Sequence, residues 1–148
     1  MLLHKNNQFI YNNAAIKLPN NIYFDPCPDP CPVEGMVFYS EDLRAKVELH
    51  FVATEKDARS FLMEGSEAYD DFQTLQPILT VCINGIEGIT TTSATQRYLY
   101  EEYVFAIPGE KPTLLDICIE QKKESPANPE QYSRLVTELL EGLQAIGL

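Results

Sequence analysis

Two cysteines, Cys27 and Cys31, stand four positions apart in the run Asp-Pro-Cys-Pro-Asp-Pro-Cys-Pro at positions 25–32. Thiols at that spacing offer half a zinc site or a local disulfide pair. Zinc would need two further ligands, and the chain has only His4, His50, Cys82, Cys118 and carboxylates to supply them. Proline at alternate positions fixes the backbone and tends to hold the two sulfurs apart. The spacing therefore favours an ordinary extended surface loop, with a redox pair and a metal half-site as the alternatives, and it implies no cofactor.

His50 is the one histidine inside a patterned segment, and a base is the chemistry it could supply. Its neighbours Lys46 and Glu48 share its strand parity, which makes it an exposed sheet residue. Glu101 and Glu102 are adjacent in a predicted strand, where side chains alternate faces, so they do not form an acid–base pair. Glu64, Glu67 and Asp71 recur at helical spacing as an acidic face, either simply solvated or offered to a basic partner or a divalent cation. The chain contains no G-x-S-x-G elbow, phosphate-binding glycine loop, dinucleotide fingerprint or H-E-x-x-H.

Composition narrows the partners. Lys and Arg number 11 against 22 Asp and Glu, a formal net charge of −11. That balance repels phosphate backbones and anionic lipid headgroups, and so excludes nucleic acid as the expected partner. A chain of 148 residues is one domain, long enough to bury roughly 70% of its unfolded surface. The first residues lack the apolar core of a secretory signal and no run reaches the length of a membrane span. A cytoplasmic protein is the expectation if Met1 is the native start.

The elements that must position these residues begin with a hairpin, residues 8–11 with 15–18, followed by a short extended piece at 22–24. Strands at 36–40 and 45–53 come next. In the second, Val47, Leu49, Phe51 and Ala53 alternate with Lys46, Glu48, His50 and Val52, the mark of a sheet with one buried face. The period then changes. Ala58, Phe61, Leu62, Gly65, Ala68, Tyr69 and Phe72 predict a helix over about 55–71, with Thr54 as N-cap.

Three runs at 78–83, 89–107 and 114–121 form a meander, divided by Asn84-Gly85 with Gly88 and by Pro108-Gly109 with Pro112. The first of these is apolar on both faces, which predicts a central strand. Asn128, Pro129 and Gln131 open a second helix with a capping box. Its stripe runs through Tyr132, Leu135, Val136, Leu139, Leu140, Leu143 and Ile146 to a stop at Gly147. The sum is a soluble α+β domain, mainly antiparallel sheet packed against two amphipathic helices.

This order of elements resembles the Mog/PsbP-like group, an antiparallel sheet sandwiched between helices. The resemblance rests on Ile16-Lys17-Leu18-Pro19 opening the domain, the Asn84-Gly85-x-x-Gly88 turn, the strand through Tyr98-Leu99-Tyr100 and the terminal helix. It implies non-enzymatic work of the kind that group does, as small-GTPase regulators or assembly factors, many bacterial members being uncharacterised. It transfers no functional residue, and the proline-cysteine loop departs from it. Absence of a signal segment argues against the envelope role common among bacterial relatives.

The functional expectation is a binding or assembly module that is not an enzyme and acts through a protein partner or as a homodimer. Tyr98 and Tyr100 share one strand face, so their rings are either core or an aromatic platform rimmed by Arg97. A small-molecule or metal-binding domain, with a pocket between sheet and helix and Cys27 and Cys31 near its mouth, is the alternative.

Overall fold

The computed structural model describes residues 3–5, 8–11, 14–24, 35–66, 73–107, 109 and 112–145. The predicted loop at 25–32 with Cys27 and Cys31, the acidic positions Glu67 and Asp71, and the predicted stop at Gly147 lie outside them. The chain runs β1 (Leu3–Lys5), β2 (Gln8–Tyr11), β3 (Ala14–Lys17), β4 (Ile22–Phe24), β5 (Gly35–Ser40), β6 (Ala45–Ala53) and α1 (Ala58–Ser66). It continues with β7 (Gln73–Thr74), β8 (Leu79–Ile83), β9 (Ile86–Ala94), β10 (Tyr98–Ile107), β11 (Thr113–Lys122), α2 (Pro129–Glu141) and β12 (Leu143–Ala145).

The main sheet has the order β4-β5-β6-β11-β10-β9-β7, with β8 also paired to β9, and every pairing in it is antiparallel. A second sheet, β1-β2-β3-β12, joins the first strands to the last. The predicted α+β class with a mainly antiparallel sheet and two helices is therefore what forms.

Strand parity decides the layers. Val47, Leu49, Phe51, Phe105, Leu115, Ile117 and Ile119 point to one face, where Leu135 and Leu139 of α2 and Phe9, Ile16, Leu18 and Leu143 of the small-sheet region complete the core. On the opposite face α1 seats Leu62 against Ile89, Val104 and Leu114, with Ala58 and Phe61 beside them. The two helices thus lie on opposite sides of the main sheet.

Several expected boundaries move. The run 89–107 is two strands, broken at residues 95–97, where Thr95 N–H donates to the Tyr98 carbonyl at 3.0 Å and Thr95 Oγ1 accepts from Tyr98 N at 3.3 Å. A threonine hydroxyl closes that turn in place of the Gly, Pro or Asn that usually signals one. Asn84 and Gly85, with φ of 51° and 83°, make the two-residue hairpin turn. Gly88 instead lies within β9, where a Cβ would come 2.6 Å from the Phe105 ring and from the Val104 carbonyl.

β8 is an edge strand, not a central one, and Leu79 on it is 49% exposed. An apolar run tells how a strand could be buried, while strand order decides whether it is.

Both helices start and stop differently from expectation. α1 begins at Ala58, capped by Asp57, whose carboxylate accepts from Ser60 N at 2.7 Å; Thr54 Oγ1 accepts from Lys56 N instead. Asn128 does cap α2, its Oδ1 accepting from Glu130 N at 3.0 Å and Gln131 N at 3.2 Å. The reciprocal arm of the capping box is not made by Gln131. Asn128 N–H donates to Asp42 Oδ2 at 2.8 Å, so a residue of the β5–β6 turn takes that role.

α2 ends at Glu141, and Leu143 continues as β12 rather than as a helical stripe. Gly142 is the reason: a Cβ there would stand 2.1 Å from the Lys17 carbonyl oxygen, and its own carbonyl accepts from Lys17 N at 2.9 Å.

Candidate functional site

The polar parities of three adjacent strands meet on the α1 side of the main sheet. β6 contributes Lys46, Glu48 and His50, β11 contributes Asp116, Cys118 and Glu120, and β10 contributes Tyr98, Tyr100 and Glu102. Register places them in rows: His50 opposite Asp116, Glu48 opposite Cys118 opposite Glu102, and Lys46 opposite Glu120 opposite Tyr100. Side chains directly opposite across a ladder have Cβ atoms about 5 Å apart, so this is a lattice of ionisable groups in mutual contact range.

Its electrostatics vary from the open edge to the middle. Toward β6 the side chains reach water: Lys46 is 31% exposed, Glu48 38% and His50 39%. Glu48 lies 3.1 Å from Lys46 Nζ and 3.7 Å from His50 Nε2. His50 above all, with Lys46, outweighs burial and holds the Glu48 carboxyl down at about 2. Glu48 in turn raises His50 above the ordinary imidazole value. Lys46 is also raised: burial works against its charge, but Glu48 and Glu120, the latter 3.8 Å away, outweigh it. Gly35 gives the imidazole its space, since a Cβ there would come 2.8 Å from His50 Nδ1.

Deeper in, Glu102 and Asp116 share a hydrogen bond between their carboxyl groups. Burial, reinforced for Glu102 by the neighbouring Asp116, raises both above the usual carboxylate range. Two carboxyls in contact away from water cannot both ionise, so one proton stays between them. Asp116 Oδ1 is buried without a hydrogen-bond partner among the described residues. Cys118, flanked by Glu48 and Glu102, is driven well above the ordinary thiol value by burial and then by those charges. The arrangement therefore keeps Cys118 a thiol and does not activate it as a nucleophile. What the lattice can do is hold a proton and accept a cation or hydrogen-bond donors.

The sequence-predicted residues distribute as follows. Tyr98 and Tyr100 lie on the lattice face, half-buried, with ring centroids 6.2 Å apart. Arg97 is exposed in the turn beside them, its carbonyl accepting from Lys123 N at 2.9 Å. Glu64 is exposed on α1 and ion-paired with Lys56. Glu101 and Glu102 do point to opposite faces; Glu101 sits on the α2 side and accepts from the hydroxyls of Tyr103 and Tyr132. Glu102, Asp116 and Cys118 were not singled out from sequence as partners of His50. The alternation at 45–53 and 115–120 carried the signal, but the adjacency of β6 and β11 did not appear in it.

Among the described residues, no group of three or more His, Cys, Asp or Glu side chains is placed to hold a metal ion. An open groove of about 750 Å³ runs between the start of α1 and the β8–β10 strands, lined by Asp57, Arg59, Thr80, Cys82, Glu87 and Ile89 among others. No helix among the described residues is long and apolar enough to cross a membrane.

No family model matches the chain, and no curated protein matches it by sequence. Solved structures do match. LpqN of Mycobacterium tuberculosis, described as involved in cell envelope biogenesis, superposes with a TM-score of 0.60 at 11% identity, over 90% of this chain and 83% of LpqN. A structure from Bacteroides thetaiotaomicron VPI-5482 superposes with a TM-score of 0.56 at 12% identity, over 97% of this chain and 50% of the other. This chain thus spans half the length of the second protein. What is shared is the fold. At these identities the likeness extends no further than that.

Proposed function

We propose that this chain is a non-enzymatic binding or assembly module of the Mog/PsbP-like kind, working through contact with a protein partner. The observation that carries the reading is the lattice face itself. Four carboxyl groups, Glu48, Glu102, Asp116 and Glu120, converge there with Lys46 and His50, beside the half-buried rings of Tyr98 and Tyr100. Aromatic rings next to oriented, part-buried acceptors are the makings of a protein-binding patch. The net charge of −11 steers a basic segment toward it.

The Cys118 thiol, held protonated, supplies no activated nucleophile, which supports recognition over covalent catalysis at this face. The fold shared with LpqN is consistent with this reading and carries no statement about partner or substrate.

The test compares the wild-type chain with a Tyr98→Ala, Tyr100→Ala double variant, each drawn gently from its host lysate and examined by native mass spectrometry. The reading expects a defined protein chain to co-purify with the wild type and to be lost from the double variant, while circular dichroism shows the variant folded. Global unfolding would show that the rings are core. A wild-type chain carrying only a small extra mass would move the assignment to ligand binding.

A further inference from the structure

The end of the main sheet where β6 begins and β11 ends reverses the charge of the molecule. A cleft of about 330 Å³ lies there, between the loop that joins β5 to β6 and the last residues of β11. Arg44, Lys46 and Lys122 line it against a single carboxylate, Glu120, on a chain of net charge −11. Lys46 is ion-paired with Glu48 and Glu120, and Tyr39 stands opposite it on β5. Arg44 and Lys122 are exposed and enter no ion pair among the described residues. Leu43 also lines the cleft, 61% exposed and with φ of 62°. Left-handed backbone is unfavourable for a bulky side chain, and an exposed one recovers nothing by packing. The loop nevertheless holds it there. Leu43 N–H donates to the Ser40 carbonyl at 2.9 Å, and Asp42 Oδ1 accepts from Ser40 Oγ at 2.6 Å and Arg44 N at 3.0 Å. Asp42 Oδ2 accepts from Asn128 N at 2.8 Å, which ties the loop to the start of α2.

We propose that this cleft docks an acidic peptide segment of a partner protein, its carboxylates meeting Arg44 and Lys122 and an adjacent apolar side chain resting on Leu43. Charge complementarity fixes the sign of the occupant, since three cations face one carboxylate. The net charge does not forbid it: at physiological ionic strength the Debye length is about 8 Å, so a seated segment feels these cations ahead of the remote carboxylates. A free phosphate ion would use the cations and leave Leu43 without a contact. A nucleic acid strand would run beyond the cleft onto a surface of its own sign. A fixed loop that presents an apolar anchor beside unpaired cations is preorganised for a peptide carrying both chemistries. The proposal goes beyond the use of the lattice face. Lys46 and Glu120 belong to both sites, whereas Leu43 and Arg44 belong to this one alone.

Isothermal titration calorimetry of the full chain with a short peptide of alternating glutamate and leucine is the test. Binding is expected for this peptide and not for its counterpart with glutamine in place of glutamate. Arg44→Glu should weaken it about tenfold, because like charges are then brought together. Arg134→Glu, the same change of net charge on an exposed position of α2, should leave it within about twofold. Leu43→Gly should weaken binding about fivefold through the lost apolar contact. The same variant should hold or raise the urea midpoint, since glycine adopts a φ of 62° freely. Those two outcomes together separate a docking residue from a structural one. Failure of the acidic peptide to bind overturns the proposal. So does an equal loss from Arg44→Glu and Arg134→Glu, a Leu43→Gly variant that binds like the wild type, or inorganic phosphate that binds as tightly as the peptide.

Discussion

Replacing Glu102 by glutamine should stabilise this protein at neutral pH and leave it nearly unchanged at pH 4.5. The Glu102 carboxyl has an ordinary value of 4.5, and burial together with Asp116 carries it above neutrality in the fold. At pH 7 the folded chain therefore holds a proton that the unfolded chain has released. Stability falls with rising pH wherever the folded state binds more protons, so the penalty is absent below 4.5 and grows as pH rises until the folded group itself ionises. Over the interval from 4.5 to 7, at about 1.36 kcal/mol per unit, the cost reaches about 3 kcal/mol. That is an upper value, because solvent reaches part of the side chain. Glutamine keeps a donor for Asp116 in its amide and has no proton to hold. Urea unfolding of both proteins at the two pH values measures the difference directly. Equal shifts at both pH values, or a glutamine variant less stable at pH 7, would refute the shared-proton arrangement.

Two further changes probe the frame around the lattice. Gly142→Ala forces a Cβ against the Lys17 carbonyl, 2.1 Å away, and should destabilise by about 1–3 kcal/mol, read as a lowered denaturant midpoint. Asn128→Ala removes the acceptor for Glu130 N and Gln131 N and should cost about 1 kcal/mol, with helix α2 showing faster amide exchange at its first turn.

Local rules could be read from the sequence wherever a single segment decided the outcome. The alternation from Val47 to Phe51 assigned both faces of β6, and Asn128 with Pro129 marked the start of α2. Failures fell where a distant residue decided. Gln131 had the type for a capping box, yet Asp42 from another turn took the Asn128 N–H. The stripe through Leu143 continued a helical pattern that a backbone contact with Lys17 cut short. The apolar run of β8 looked central because period cannot report how many neighbours a strand has. The lattice stayed hidden for the same reason: His50 and Asp116 each showed the correct parity, and only the pairing of β6 with β11 made them neighbours.

The pairing of Ile16 with Leu143 ties nearly the first described strand to the last. A contact so remote in sequence repays its loop-closure entropy only once the intervening chain is ordered, which makes the closing of the small sheet by β12, after the local β1–β2–β3 hairpins, a late event in folding. As the chain is synthesised, the hairpins of the main sheet and α1 can assemble first. Ile16 and Leu18, fully buried in the end, must wait in water for Leu143. The interval before that strand arrives is when the protein is most open to aggregation, and it lengthens with any change that slows the seating of β12.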